Sequence, residues 1–152
     1  MRLLCLCIAF CLSVASASAK DWKRASERLV EAGEASIAAG DFVEAIRTLE
    51  SAVAADPTNV EAFEALGHAY FGMNRFGQAE KYFLIALEID PTSADSLAYL
   101  GEIDLRKDER QAAADKLARL SRICGVECAE YKRLAGAISR AAPAADASPV
   151  QQ

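Results

Sequence analysis

Five independent sets of residues in this chain recur at one interval, 34 positions. Gly33, Gly67 and Gly101 are so spaced, and so are Ala45, Ala79 and Ala113. Leu29, Phe63 and Leu97 form a third series, Leu49, Phe83 and Leu117 a fourth, and Asp56-Pro57 returns as Asp90-Pro91. A period of this length marks a repeat architecture, in which one supersecondary unit is copied and each copy buries its apolar face against the next. Within a copy the spacing is helical: Leu29, Gly33 and Ser36–Ile37 fall three and four apart on one face. A mid-helix glycine costs about 1 kcal/mol relative to Ala. The recurrence of three of them implies close approach of a paired helix where the Cβ is missing. Gly40 can end the first helix, Asp41 can cap the second, and Glu44 stands three residues on. Asn59 and Ser93 are N-caps just after the Asp-Pro turns. Helices are predicted over 26–39, 42–55, 60–73, 76–89, 94–107 and 110–122, with no strand.

These residues resemble the tetratricopeptide repeat (TPR). The resemblance covers 26–127 as three copies, 26–59, 60–93 and 94–127. The middle copy matches best: Phe63 at a large-residue position, the Leu66-Gly67 pair, Tyr70, then Ala79, Phe83 and Ala86, and the terminal Pro91. The first keeps Leu29, Gly33, Phe42, Ala45, Leu49, Ala52 and Pro57, with Ser36 in place of the Tyr. The third keeps Leu97, Leu100, Gly101, Ala113 and Leu117 but departs at Asp104, Arg110 and Gly125, so looser packing of its second helix is expected. The resemblance implies an all-α, right-handed α-solenoid of three TPR helix pairs. Repeat arrays need a cap, and Tyr131, Leu134, Ala135 and Ile138 supply an amphipathic C-terminal capping helix over 128–141, with Lys132, Arg133 and Arg140 on its polar side. Residues 20–25 extend the first helix, with Trp22 expected to cover it. Residues 142–152, with Pro143 and Pro149, read as a disordered tail.

The first 19 residues read as an address. Met1-Arg2 is followed by an uncharged stretch of about 12 residues from Leu3 and then by Ala15-Ser16-Ala17-Ser18-Ala19, the pattern of a secretory signal cleaved after Ala17 or Ala19. The apolar run is shorter than the roughly 20 residues a span requires. Neither Cys5 nor Cys11 has a small residue before it, which argues against lipidation. The whole chain has 17 basic and 22 acidic residues, net −5. Without Arg2, the one charge in 1–19, the mature chain carries 16 bases against 22 acids, net −6. That balance excludes a general nucleic-acid binder, which needs a basic surplus to meet phosphates. No later stretch is long and apolar enough to span a membrane. Exported TPR chains of this size resemble a Gram-negative periplasmic group, so the expected location is the periplasm, with secretion as the alternative.

One His and no nucleophile–base constellation argue against an enzyme, and neither a Gly-rich loop after a strand nor a His-rich cluster suggests a cofactor or metal. The mature chain keeps two cysteines, in Cys124-Gly125-Val126-Glu127-Cys128. In an oxidising compartment a pair so close reads as one disulfide stapling the capping helix to the array. A redox-active pair is the alternative, because Cys128 at a helix start has its thiolate favoured. A thiolate metal site would lack a His or third Cys. The block also resembles the paired-cysteine ending of some small exported bacterial TPR proteins.

In the TPR family the first helices of successive repeats line a groove. The resemblance places Glu27, Val30, Glu34 and Ile37 there from the first repeat, and Glu61, Glu64, His68 and Phe71 from the second. From the third it places Asp95, Ala98, Glu102 and Leu105, with Arg106 beside them. An acidic groove with an apolar floor suits a peptide carrying Lys or Arg; the plainer alternative is that these charges only solvate an exposed face. Glu34, His68 and Glu102 do not suit the Lys/Asn clamp by which some TPR domains hold an acidic peptide end. The expected function is a non-catalytic exported adaptor binding a protein or peptide. The alternatives are a thiol–disulfide protein using Cys124 and Cys128, and a structural unit of an envelope complex. The partner and the oligomeric state are not written in the sequence.

Overall fold

The computed structural model describes the backbone of residues 2–141 and the side chains of residues 20–141. The expected tail over 142–152, and the side chains of the expected signal, lie outside the described residues. Among the described residues all regular structure is helical: α1 Arg2–Ala38, α2 Phe42–Ala55, α3 Val60–Gly72, α4 Phe76–Ile89, α5 Ala94–Arg106, α6 Arg110–Ile123 and α7 Ala129–Ala141. The bounds of α2 and α4 coincide with those predicted, and α3, α5, α6 and α7 differ by one residue. The first helix differs most: it starts at Arg2, well before the expected repeat start at 26 and its extension over 20–25.

Local chemistry sets these ends. Asp41, Asn59 and Ser93 each cap a helix, accepting from the N–H of Glu44, Ala62 and Ser96 respectively. The reciprocal half of a capping box is absent, because the Glu44 carboxylate instead receives the Arg47 guanidinium, whose Nε donates at 2.9 Å. Asp56 and Asp90 each fold their turn by accepting the backbone N–H of Thr58 or Thr92 at 2.9 Å and its hydroxyl at 2.7 Å. Gly40, Asn74 and Asp108, again 34 apart, have φ of 79°, 57° and 61°. Each closes the C-terminus of a first helix, with the next N–H reaching back to Ser36, Tyr70 or Asp104. Glycine, Asn and Asp are the residues that best tolerate this left-handed conformation, so the repeat persists where residue identity does not.

The chain forms two compact units, and the boundary falls inside α4, between Tyr82 and Phe83. In the first unit Val30 of α1, Ala45, Leu49 and Ala52 of α2, and Ala62, Ala65, Leu66 and Ala69 of α3 form the core, with Leu29, Ile37, Phe42 and Tyr82 against it. Small residues let the helices approach. A Cβ on Gly72 would stand 2.5 Å from a ring carbon of Phe42. Ser26 is buried; its hydroxyl donates to the Ala52 carbonyl at 2.9 Å and accepts from Asn59 Nδ2 at 2.8 Å, tying α1 to the end of α2 and the start of α3. Trp22 does not cover α1 as expected: it is 62% exposed. Ser26 already meets the last turn of α2, so a side chain one turn earlier on α1 overhangs its end.

In the second unit Leu97 and Ala98 of α5, Leu120 of α6 and Leu134 of α7 form the core. Leu134 occupies the notch at Gly101, where a Cβ would lie 2.6 Å from its Cδ2. The sequence continues the period into α7: Tyr131, Leu134 and Ala135 stand 34 after Leu97, Leu100 and Gly101. The capping helix thus continues the period in the place of a first helix. Asp104, at a family Tyr position, is buried and paired with Lys116 Nζ at 2.6 Å, joining α5 to α6. Where the family has a ring, this repeat has an ion pair between its two helices.

Candidate functional site

Glu27, Val30 and Glu34 repeat at three and four residues along α1, and Glu61 stands in the first turn of α3, just after its cap Asn59. The packing of α1 on α3 brings these together around a cavity of about 350 Å³, lined also by Lys23, Glu31 and Asn59. Four carboxylates face one ammonium, over the nearly buried Val30. Lys23, Glu31 and Asn59 were not expected there. Their signal was present: Lys23 and Glu31 lie four residues either side of Glu27, hence on its face, and Asn59 is the cap beside Glu61.

The other expected positions of this unit lie apart from the cavity lining. Ile37 packs against the core. Glu64, His68 and Phe71 are half-buried on α3, and the Phe71 ring meets Phe76 edge-on at 5.4 Å.

In the second unit Glu102, Leu105 and Arg106 line a separate cavity of about 300 Å³ with Ala137, Arg140 and Ala141 of α7. Ala98 is fully buried in the core. Asp95 and Glu102 converge on Arg133 of α7: its Nη2 is 3.4 Å from Asp95 Oδ1, and its Nε is 3.1 Å from Glu102 Oε1, within ion-pair range but not aligned for a hydrogen bond. The guanidinium lies 3.9 Å over the Tyr99 ring, which itself stacks on Phe83 at 5.0 Å. Burial pushes the Tyr99 phenol up in pKa, and the Arg133 charge opposes it. The two carboxylates expected to meet a partner's cation therefore already hold one from this chain.

Cys124 ends α6 and Cys128 precedes α7; their sulfurs lie at bonding distance, with the Cα atoms 5.8 Å apart. Gly125 between them has φ 79°. Glu130 Oε lies close to both sulfurs, the one grouping of potential metal ligands among the described residues.

Two tetratricopeptide-repeat profiles match, at residues 36–91 and 64–124, together spanning more than half of the chain. The chain belongs to the tetratricopeptide repeat family. Among solved structures it resembles the Arabidopsis OM64 TPR domain, at TM-score 0.71 and 18% identity over 78% of this chain and 98% of that one. It also resembles the first TPR of Spaghetti (RPAP3) bound to the HSP90 peptide SRMEEVD, at TM-score 0.70 and 21% identity over 78% and 94%. MamA from Desulfovibrio magneticus RS-1 matches at TM-score 0.57 and 23% identity over 72% and 70%. The fold is an all-α TPR solenoid, a scaffold that generally serves as a protein–protein interaction module. No helix among the described residues is long and apolar enough to cross a membrane.

Proposed function

We propose that this TPR protein is a non-catalytic adaptor that takes a basic peptide segment of a partner protein in the cavity between α1 and α3. The observation that supports the reading is the lining itself: Glu27, Glu31, Glu34 and Glu61 surround an apolar floor at Val30, with Lys23 alone to offset them. A Lys or Arg stem would lie along Val30 while its charge meets the carboxylates. The peptide in the Spaghetti complex, SRMEEVD, is acidic at its end, and this cavity carries charge of the same sign, which would repel such a peptide. Selectivity by charge would thus be inverted relative to that neighbour.

The direct test is titration calorimetry of the full chain with paired peptides, one rich in Arg and Lys and one SRMEEVD. The basic peptide should bind more tightly, with affinity falling as salt rises. Reversing charge with Glu27→Lys and Glu34→Lys should weaken it by about tenfold or more. Preference for SRMEEVD, or indifference to the reversals, would remove the proposal.

The same reading places the working chain outside the cytosol. The segment 1–19 would be removed as a signal, residues 26–127 would form the three repeats, and 128–141 would close the array in the periplasm or a secreted form. A disulfide between Cys124 and Cys128 fits that compartment. N-terminal sequencing of the exported fraction tests it: a new terminus at Ser18 or Lys20 is expected, and an intact Met1 would contradict it.

A further inference from the structure

We infer that the Cys124–Cys128 bond is a lock on a detachable α7, and that opening it bares a face of α5 which accepts an amphipathic, arginine-bearing helix. The inference rests on the disulfide proposed above but not on the acidic cavity.

The attachment of α7 to α5 and α6 is anchored by two neighbouring residues, with Tyr131 and Ile138 packed on either side of them. Leu134 fills the Gly101 notch and is fully buried among Leu97, Ala98 and Leu120. Arg133 spans Asp95 and Glu102 across the Tyr99 ring. This face of α5 is thus a built receptor, with an apolar notch beside a guanidinium cage, and α7 is the ligand it holds in cis. The connection is short. Bonded, it keeps the Cα atoms of Cys124 and Cys128 5.8 Å apart. The same four-residue step could extend to about 13–14 Å if free. The bond therefore denies α7 the extended hinge conformations through which it would leave α5, while Gly125, at φ 79°, shapes the turn that folds the hinge back.

Accessibility suits reversible opening. Cys124 is exposed and Cys128 half-buried at the start of α7, its carbonyl accepting from Lys132 N–H at 3.2 Å. The reductant required is a dithiol. Its thiolate attacks Cys124 Sγ, the protein S–S bond breaks, and Cys128 leaves as a thiolate favoured by the helix start. The second thiolate of the reductant then attacks the mixed disulfide and releases Cys124. Two electrons pass to the protein, the dithiol ends as a disulfide, and its two protons are taken up by the two cysteines.

The test is hydrogen exchange on the full chain, with and without dithiothreitol, the state of the sulfurs being checked by thiol titration. Amides of 129–141 should exchange about thirtyfold faster when reduced, the loop-closure effect expected for so short a ring, while those of α5 and α6 stay protected. The double variant Cys124→Ser, Cys128→Ser should match the reduced chain with or without reductant. A synthetic peptide of residues 129–141 should bind the reduced chain and not the oxidised one, and Glu102→Lys should abolish that binding. Equal exchange in both redox states, or loss of α5 and α6 protection together with α7, overturns the lock. Two free thiols in the air-oxidised chain would remove the bond itself, a failure of the disulfide reading that thiol titration separates from failure of the lock.

Discussion

Gly33 and Leu49 meet with no room between them: a Cβ on Gly33 would stand 2.5 Å from Leu49 Cγ, the branch point of a fully buried side chain. The recurrence of glycine at this position is a packing requirement, met in the first unit by Leu49 and at Gly101 by Leu134. Gly33→Ala and Gly101→Ala should each lower stability by about 1–2 kcal/mol, overpacking outweighing the gain in helix propensity. Gly77→Ala, with nothing within 4 Å of the new Cβ, should instead raise it by up to about 0.5 kcal/mol. Urea unfolding of the three variants checks the contrast; a uniform gain would show that the notches have slack.

Lys116→Met should be more damaging than most changes at a partly exposed lysine. It strips the partner from Asp104, which is 4% exposed, and leaving a buried carboxylate unpaired costs about 3 kcal/mol. The double variant Asp104→Leu, Lys116→Met should recover most of the loss, because neither charge is then stranded. Thermal melts of the single and double variants decide it.

Ser26→Ala removes the hydroxyl that serves the Ala52 carbonyl and the Asn59 amide at once. A loss of about 1–2 kcal/mol is expected. Amide exchange at the C-terminal end of α2 and the start of α3 should rise in this variant, whereas α6 should keep its protection. Unchanged exchange at the end of α2 and the start of α3 would mean that the hydroxyl is not the tie.

Stability should fall in acid through the two turn aspartates. Hydrogen bonds from the Thr58 and Thr92 side chains, then from their backbone N–H groups, hold Asp56 and Asp90 below the usual carboxylate range. A carboxyl lowered by folding stabilises above its unfolded value, near 4, and that contribution is lost as pH drops through the folded value. Thr58→Ala and Thr92→Ala should move the respective titration upward, and carboxyl chemical shifts followed by NMR from pH 6 to 2 report it. An Asp56 titration unmoved by Thr58→Ala would contradict the assigned cause.

The sequence by itself determined the repeat and, apart from the start of α1, the helix boundaries to within one residue, because these depend on chemistry that is local or strictly periodic. Caps at Asp41, Asn59 and Ser93 act over three residues, and a 34-residue period survives any global arrangement. The family resemblance put Glu27, Val30, Glu34 and Glu61 among the groove positions, but that these four line one cavity comes from the packing of α1 on α3. What only the tertiary structure decided are the pairings between side chains distant in sequence. Asp104 with Lys116, Arg133 with Asp95 and Glu102, and Leu134 in the Gly101 notch all depend on which helix lies beside which. The exposure of Trp22 depends on where α2 stops. Charge and hydropathy patterns state what a residue can bind, and only packing states whether this chain has already bound it.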